Sequence, residues 1–353
     1  MSKFVIKAEK CRIFIEQVLT ELGASSAMAS KWGQLIVETS LLGFDSHGIR
    51  MLERYIAHIE GGGIDLSAEP EIVKQHNGCV HIDAKGGLGH LAAYKATSLA
   101  LEKAKEFGIS CVAVQNCNHI GACGLYVRKA ALNDCIGICT TVSRASMASW
   151  GGKTALLGSN PIAISAPIED MPPFLFDAAS TIVSMGKITA AKDNNENIPD
   201  NWALDEQGRP TTNPAEAITG TLLPFGGHKG FGLAMAVEIL SAFLAGGAPS
   251  ANVKSWIGQT KEPIDASVTV IVVNISKFRD AAVFKKDMKN WVELLTNSEP
   301  RKGFERIYYP GQIEGEYYEN RMKSGIVLDK HIREMFDRLV DKFKIEKPPI
   351  EKV

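Results

Sequence analysis

The residues able to do chemistry fall into three short runs. In the first, Asp45-Ser46-His47-Gly48 precedes a stretch where Ile49, Leu52, Tyr55, Ile56 and Ile59 recur at helical spacing. At about 100° per residue that stripe takes one side of a helix and leaves His47, Arg50 and Arg54 on the opposite half. The positive end of a helix dipole disfavours a charged imidazole near a helix start, and a guanidinium grips a carboxylate through a planar fork. Together they suit proton transfer to and from a small acid. A plain solvated face gives the same pattern.

The second run, Asn116 to Tyr126, follows the apolar segment Cys111–Gln115 and reads Asn-Cys-Asn-His-Ile-Gly-Ala-Cys-Gly-Leu-Tyr. A strand end that leads into a glycine-rich helix start presents backbone N–H groups to phosphates. Cys117, His119 and Cys123 also raise a zinc reading, although this run holds neither C-x-x-C nor a spaced histidine pair. The third run, Phe225-Gly-Gly-His228-Lys229-Gly-Phe-Gly232, opens an apolar helix and combines close backbone approach with a positive charge. It reads as an anion or cofactor contact, with bare loop punctuation as the alternative. G-x-G-x-x-G, the P-loop pattern and G-x-S-x-G are all absent, which removes support for a Rossmann domain, a P-loop NTPase and a serine hydrolase.

The elements that must position these runs are α/β in texture. The 353 residues suit about two domains. With 45% hydrophobic and 22% charged residues the chain reads as a globular protein, and 39 basic against 40 acidic residues argue against a nucleic-acid or anionic-membrane partner. Seven cysteines and no export-like leader suggest reduced thiols in a cytoplasmic protein. Residues 1–60 read as helices. Asp45 or Ser46 would cap the third, and Gly61-Gly62-Gly63 would stop it.

Further on, Cys79–Asp83, Cys111–Gln115, Ile136–Val142, Pro161–Ala166, Phe174–Asp177 and Val268–Ile275 read as strands. His90–Phe107, Gly121–Asn133, Gly230–Leu244, Ala281–Thr296 and about Asp329–Phe343 read as helices. The apolar stretch Phe231–Ala248 carries Glu238 and is expected to be a buried helix, while 191–219 reads as a surface excursion.

The runs together resemble the type-2 malate/L-lactate dehydrogenase family, which includes L-sulfolactate, ureidoglycolate and 2,3-diketogulonate oxidoreductases. The matching text is Asp45–Gly48, Gly61–Ile64, Asn118-His119-x-Gly121-x-x-Gly124-x-Tyr126, Gly158–Pro161, Phe176–Ser180, Met185–Lys187, Gly226–Ala234 and Tyr309–Gln312, in order along nearly the whole chain. The resemblance implies an NAD(P)-dependent oxidoreductase, NAD favoured and NADP possible, acting on a 2-hydroxy or 2-keto acid. It implies a non-Rossmann α/β fold, with a large mixed-sheet cofactor domain over 71–279 and a helical domain from 1–70 plus about 280–353, in a homodimer.

Ser46 and His47 would form a proton relay, with His119 as the second candidate acid/base and Lys187 a catalytic cation. Arg50 or Arg54 would hold the substrate carboxylate. His119, Ile120, Gly121, Ala122, Cys123, Ser143, Asn160, Asp177, Ala178, Ala179, His228, Lys229, Pro310 and Gly311 would line the cofactor, and no metal is implied. Malate is the favoured substrate, before lactate, sulfolactate or ureidoglycolate. A binding protein of the same fold without turnover is the alternative, prompted by Met51 where the family pattern places arginine. Gln312 replaces a glutamate, and Lys187 stands where imino-acid reductases carry aspartate.

Overall fold

A computed structural model describes residues 4–255 and 261–352. The chain runs through β1 (Phe4–Ile6), α1 (Ala8–Glu21), α2 (Ser26–Leu41), α3 (Leu52–Gly61), β2 (Glu71–His76), β3 (Cys79–Asp83), α4 (Gly89–Phe107), β4 (Ile109–Cys117), α5 (Cys123–Ala131) and β5 (Cys135–Thr141). It continues with β6 (Met147–Ala148), β7 (Ala155–Leu157), β8 (Ile162–Ala166), β9 (Phe174–Ala178), α6 (Met185–Asp193), β10 (Ala203–Leu204), α7 (Pro214–Thr219), β11 (Thr221–Leu222) and α8 (His228–Glu238). The last elements are β12 (Ala266–Asn274), α9 (Ala281–Thr296), α10 (Gln312–Ser324), β13 (Ile326–Val327), α11 (Lys330–Phe343) and β14 (Glu351–Lys352).

The main sheet has seven strands in the order β2-β3-β4-β12-β5-β8-β9. β3 and β4 pair in parallel through the α4 crossover, and the other neighbours are antiparallel. The fold is therefore mixed α/β, as the sequence texture requires. Ala92, Ala93, Ala96, Ala100 and Ala104 line the buried side of α4, so this helix sits close on Val112, Val114, Val268 and Val270. α5 belongs to the same core through Val127 and Ala130.

A second core joins the two chain ends. Phe14, Ile15 and Leu19 of α1, Trp32 and Ile36 of α2, and Leu52, Tyr55 and Ile56 of α3 pack with Met335, Phe336 and Leu339 of α11. The Phe14 and Phe336 rings lie 4.7 Å apart. α9 packs elsewhere, placing Val292 against Ile168 and Tyr309.

Three expectations need correction. The third helix is not capped by Asp45 or Ser46. A 3-10 turn at Ile49–Met51 intervenes, and α3 begins at Leu52. The 191–219 segment is no bare excursion, since Ala191, Ile198, Ala203 and Ala217 close a small core with Val183, Ile188 and Leu222 beside a four-stranded sheet. The Phe231–Ala248 helix is buried on one side only. Past Glu238 it widens to a π turn (Ile239–Phe243), and Met235, Ile239, Phe243 and Leu244 face outward, Phe243 65% exposed.

Candidate active site

The loop between α2 and α3 is fixed from both sides. Arg321 of α10 grips both Asp45 carboxylate oxygens at 2.5 and 3.0 Å, which is why Asp45 is unavailable as a helix cap. Ser40 Oγ accepts the Ile49 N–H at 2.9 Å, and a Cβ on Gly48 would lie 2.1 Å from that oxygen, so only glycine fits there. His47 is thereby held half-buried, with Ser46 Oγ 2.8 Å from its Nδ1.

Opposite stands the loop from β4 to α5. Asn118 is buried and fixes this loop. Its Nδ2 donates to the carbonyls of Gly63, Gly86 and Gly87, and its Oδ1 accepts the Ile264 N–H. The next residue, His119, stacks on His47 with ring centroids 5.6 Å apart and planes 18° from parallel. Tyr55 of α3 brings its hydroxyl within 2.7 Å of His119 Nδ1 and 3.4 Å of His90 Nε2 at the start of α4. Trp32 packs edge-on against both Tyr55 and His90. Gly121 has φ +75°, and a Cβ there would press on His90 Nε2 at 2.7 Å.

Burial keeps all three imidazoles neutral at neutral pH. It lowers His47, pushes His90 down to about 3, and holds His119 well below the usual histidine range. His119 is lowered further by His47, His90, Arg54 and His58. The helix-dipole cause expected for His47 therefore gives way to desolvation. Burial likewise raises the Tyr55 phenol.

The Asp177 carboxylate at the end of β9 accepts the Gly124 N–H at 2.7 Å and ties the first turn of α5 to the sheet. Burial raises Asp177 to about 6, against the pull of that amide, with Glu314 adding repulsion.

The remaining expected residues are spread around this centre. Arg50 forms an exposed ion pair with Asp329, whereas Arg54 is near enough for its charge to be felt at His119 and Tyr55. The Asn160 side chain is wholly enclosed. It donates to Ala234 O and Glu238 Oε1 and accepts from Ser143 N–H and Ser250 Oγ–H, so it braces the fold and has no bond left for a ligand. Ser143 Oγ faces Ser159 Oγ at 3.1 Å and accepts the Ser159 N–H. Ile120, Ala122 and Cys123 are buried, and the Cys123 thiol is raised by its contact with Cys139 and by burial.

Ala178 and Ala179 are half-buried where β9 ends. Pro310 accepts the Leu175 N–H, bringing Gly311 against β9. His228 and Lys229 are exposed at the start of α8, where the N-cap Gly227 (φ +66°) supplies no side-chain cap. Lys187 is exposed on α6 and forms no ion pair among the described residues. The zinc reading fails on geometry: Cys117 leans on Gly89 O, and no three His, Cys, Asp or Glu among the described residues converge as ligands.

Tyr55 and His90 join this cluster without a local sequence signal: the Tyr55 ring packs as part of the apolar stripe, and nothing local marks His90.

The sequence profile of the malate/L-lactate dehydrogenase family matches residues 6–336. The chain is similar to the malate/(S)-sulfolactate dehydrogenase of Methanothermus fervidus, 36% identical over 97% of this chain and 99% of that protein. It is similar as well to the L-sulfolactate dehydrogenase of Methanocaldococcus jannaschii, 37% identical over 93% and 94%. Its structure superposes on the crystal structure of malate dehydrogenase from Entamoeba histolytica with a TM-score of 0.93, at 29% identity over 99% and 100% of the two chains.

Proposed function

The chain belongs to the malate/L-lactate dehydrogenase family, and we propose that it moves a hydride between C2 of a small 2-hydroxy acid and a nicotinamide, with malate the favoured acid. The observation that carries this reading is the stacked, neutral His47–His119 pair, with Tyr55 beneath it and the charge of Arg54 beside it. In oxidation the C2–H bond breaks, its electron pair leaves with the hydrogen as hydride, and the hydroxyl proton passes to a base. The products are a 2-keto acid, the reduced nicotinamide and one proton.

His47 is the first choice for the base because its imidazole is neutral and Ser46 orients its Nδ1; His119 is the second. Arg54 replaces the arginine that Met51 displaces from the family position, and it holds the C1 carboxylate. Lys187 serves as the cation that polarises the forming carbonyl. The two sequence relatives above are named malate/(S)-sulfolactate dehydrogenase and L-sulfolactate dehydrogenase.

The residues present fit a dinucleotide. Two glycines of positive φ lead into α8, whose start exposes His228 and Lys229, while the Lys229, Gly230 and Phe231 N–H groups are bonded to the carbonyls of Gly226, Phe225 and Gly227; the lysine charge and the positive end of the helix are what an anion would meet. That combination suits a phosphate. When bound, the nicotinamide supplies the hydride acceptor. The chain supplies position, a buried environment and the proton carrier. NAD is favoured, with NADP the alternative. The outward apolar face of Met235, Ile239, Phe243 and Leu244 is assigned to a second copy of the chain.

The test crosses NADH and NADPH with oxaloacetate, pyruvate, sulfopyruvate and related keto acids, following absorbance of the reduced cofactor. Consumption of NADH fastest with oxaloacetate is expected. No consumption with any pairing overturns the proposal, and a preference for sulfopyruvate or pyruvate reassigns the acid.

A further inference from the structure

Three donors meet around two histidines, and their directions can be followed. His119 Nδ1 faces the Tyr55 hydroxyl at 2.7 Å and also receives the Gly121 backbone N–H at 3.3 Å. A backbone N–H can only donate, so Nδ1 must offer its lone pair to that amide. The Tyr55 hydroxyl then donates to Nδ1 as well, which leaves its oxygen to accept from His90 Nε2.

His90 closes the chain. It is wholly buried, and its Nδ1 has no hydrogen-bond partner among the described residues. A neutral His90 carries one proton. On Nε2 that proton reaches Tyr55, whereas on Nδ1 it would be an orphaned buried N–H, the rarer kind of unsatisfied group. Gly121 and His90 therefore point to the same arrangement from opposite ends.

We infer that Tyr55, His90 and the Gly121 amide hold His119 as the tautomer with its proton on Nε2, so that His119 donates a hydrogen bond to the substrate oxygen and leaves the proton transfer to His47. The substrate half of this statement rests on the hydroxy-acid reading above. A neutral imidazole locked in this way polarises a keto oxygen or steadies a developing alkoxide without itself becoming charged. The groups facing His119 agree: His47 from the α2–α3 loop, Arg54 and His58 from α3 and His90 from α4 all disfavour a positive charge there. Tyr55 and His90 are positioning residues.

The test is nitrogen-15 NMR of the histidine-labelled full chain at neutral pH, with the His119 signals identified by their loss in His119→Gln or, should that variant fail to fold, by their shift in Tyr55→Phe. The expected spectrum shows a protonated, pyrrole-like Nε2 and an unprotonated, pyridine-like Nδ1. A protonated Nδ1 overturns the inference. His90→Gln, whose amide can still donate to Tyr55, retains the pattern, whereas His90→Phe mixes the two tautomers; an unmixed Nε2–H signal in His90→Phe removes His90 from the account.

Kinetically, His47→Gln and His119→Gln each lower kcat on the order of 10²-fold. Only His47→Gln erases the acidic limb of the pH profile, and the reverse pattern overturns the division of roles. Absence of turnover in the wild type would refute the hydroxy-acid reading alone, because the spectrum decides the tautomer independently.

Discussion

At the scale of single residues, burial decides what each histidine does. His47 loses part of its hydration and its pKa falls below the usual 6.5, so it is a ready base at neutral pH. A base must be uncharged. kcat/KM for hydroxy-acid oxidation should therefore rise with pH through a limb lying below about pH 6.5 and stay flat above it. A limb centred above neutrality would contradict the assignment. The reverse reaction needs protonated His47, so keto-acid reduction should slow as pH rises through the same range.

His90 has a separate consequence for stability. Its folded pKa, about 3, lies below the unfolded value of 6.5, so the unfolded chain binds the extra proton between them. Stability must fall as pH drops from the upper value toward the lower one. His90→Gln should flatten that part of the acid-unfolding profile, and an unchanged slope would show that His90 charges freely in the folded chain.

At the scale of elements, the site depends on how α5 and the α8 region are tied to the sheet. Asp177 holds the first turn of α5 through Gly124, but its carboxylate is raised to about 6 because burial disfavours the charge. Its folded pKa lies above the unfolded value of 3.8, so its ionisation destabilises the fold as pH rises through that window. Asp177→Asn keeps the acceptor oxygen and should raise stability at pH 8 in denaturant titrations, whereas Asp177→Ala should lower kcat by freeing the His119 loop. A loss of stability in the asparagine variant would show that the charge itself is needed. Asn160 braces four groups at once, and Asn160→Ala should cost roughly 2–4 kcal/mol through the unpaired Glu238, Ser143 and Ser250 atoms. Chemical denaturation measures it, and a change below about 1 kcal/mol would contradict the bracing role.

These ties also explain what could be read from residues alone. The sequence expectation of a helix at Ala281–Thr296 matches α9, and the structure adds that Asp280 caps it by accepting the Val283 N–H. β2 escaped notice because all six of its residues are exposed at the sheet edge, and α10 because it buries none, so neither leaves a periodic signal. The runs around His47, His119 and His228 were visible as local patterns. The His90–Tyr55–His119 chain was not, since α3, α4 and the β4–α5 loop are distant in sequence and are brought together by the fold, with Trp32 packed on Tyr55 and His90. For the same reason Arg50 looked equivalent to Arg54 until Asp329, far along the chain, claimed it.

At the scale of the whole molecule, the two cores meet at the candidate site: α3 comes from the core that joins the chain ends, and α4 and the β4–α5 loop from the core on the main sheet. The outward face of α8 and its π turn is too apolar to suit water, with Ile239 59% and Phe243 65% exposed. If a second copy covers it, Phe243→Glu should shift the mass measured by light scattering from dimer to monomer; an unchanged dimer would place the contact elsewhere.

The most direct measurement is a crystal structure with NADH and oxamate, a mimic of a keto acid. The oxamate carbonyl oxygen should lie about 3 Å from His119 Nε2, with His47 also in hydrogen-bond reach, its carboxylate against Arg54, and nicotinamide C4 within about 3.5 Å of the carbonyl carbon. Oxamate bound away from both histidines, or a nicotinamide that cannot reach it, would contradict the account.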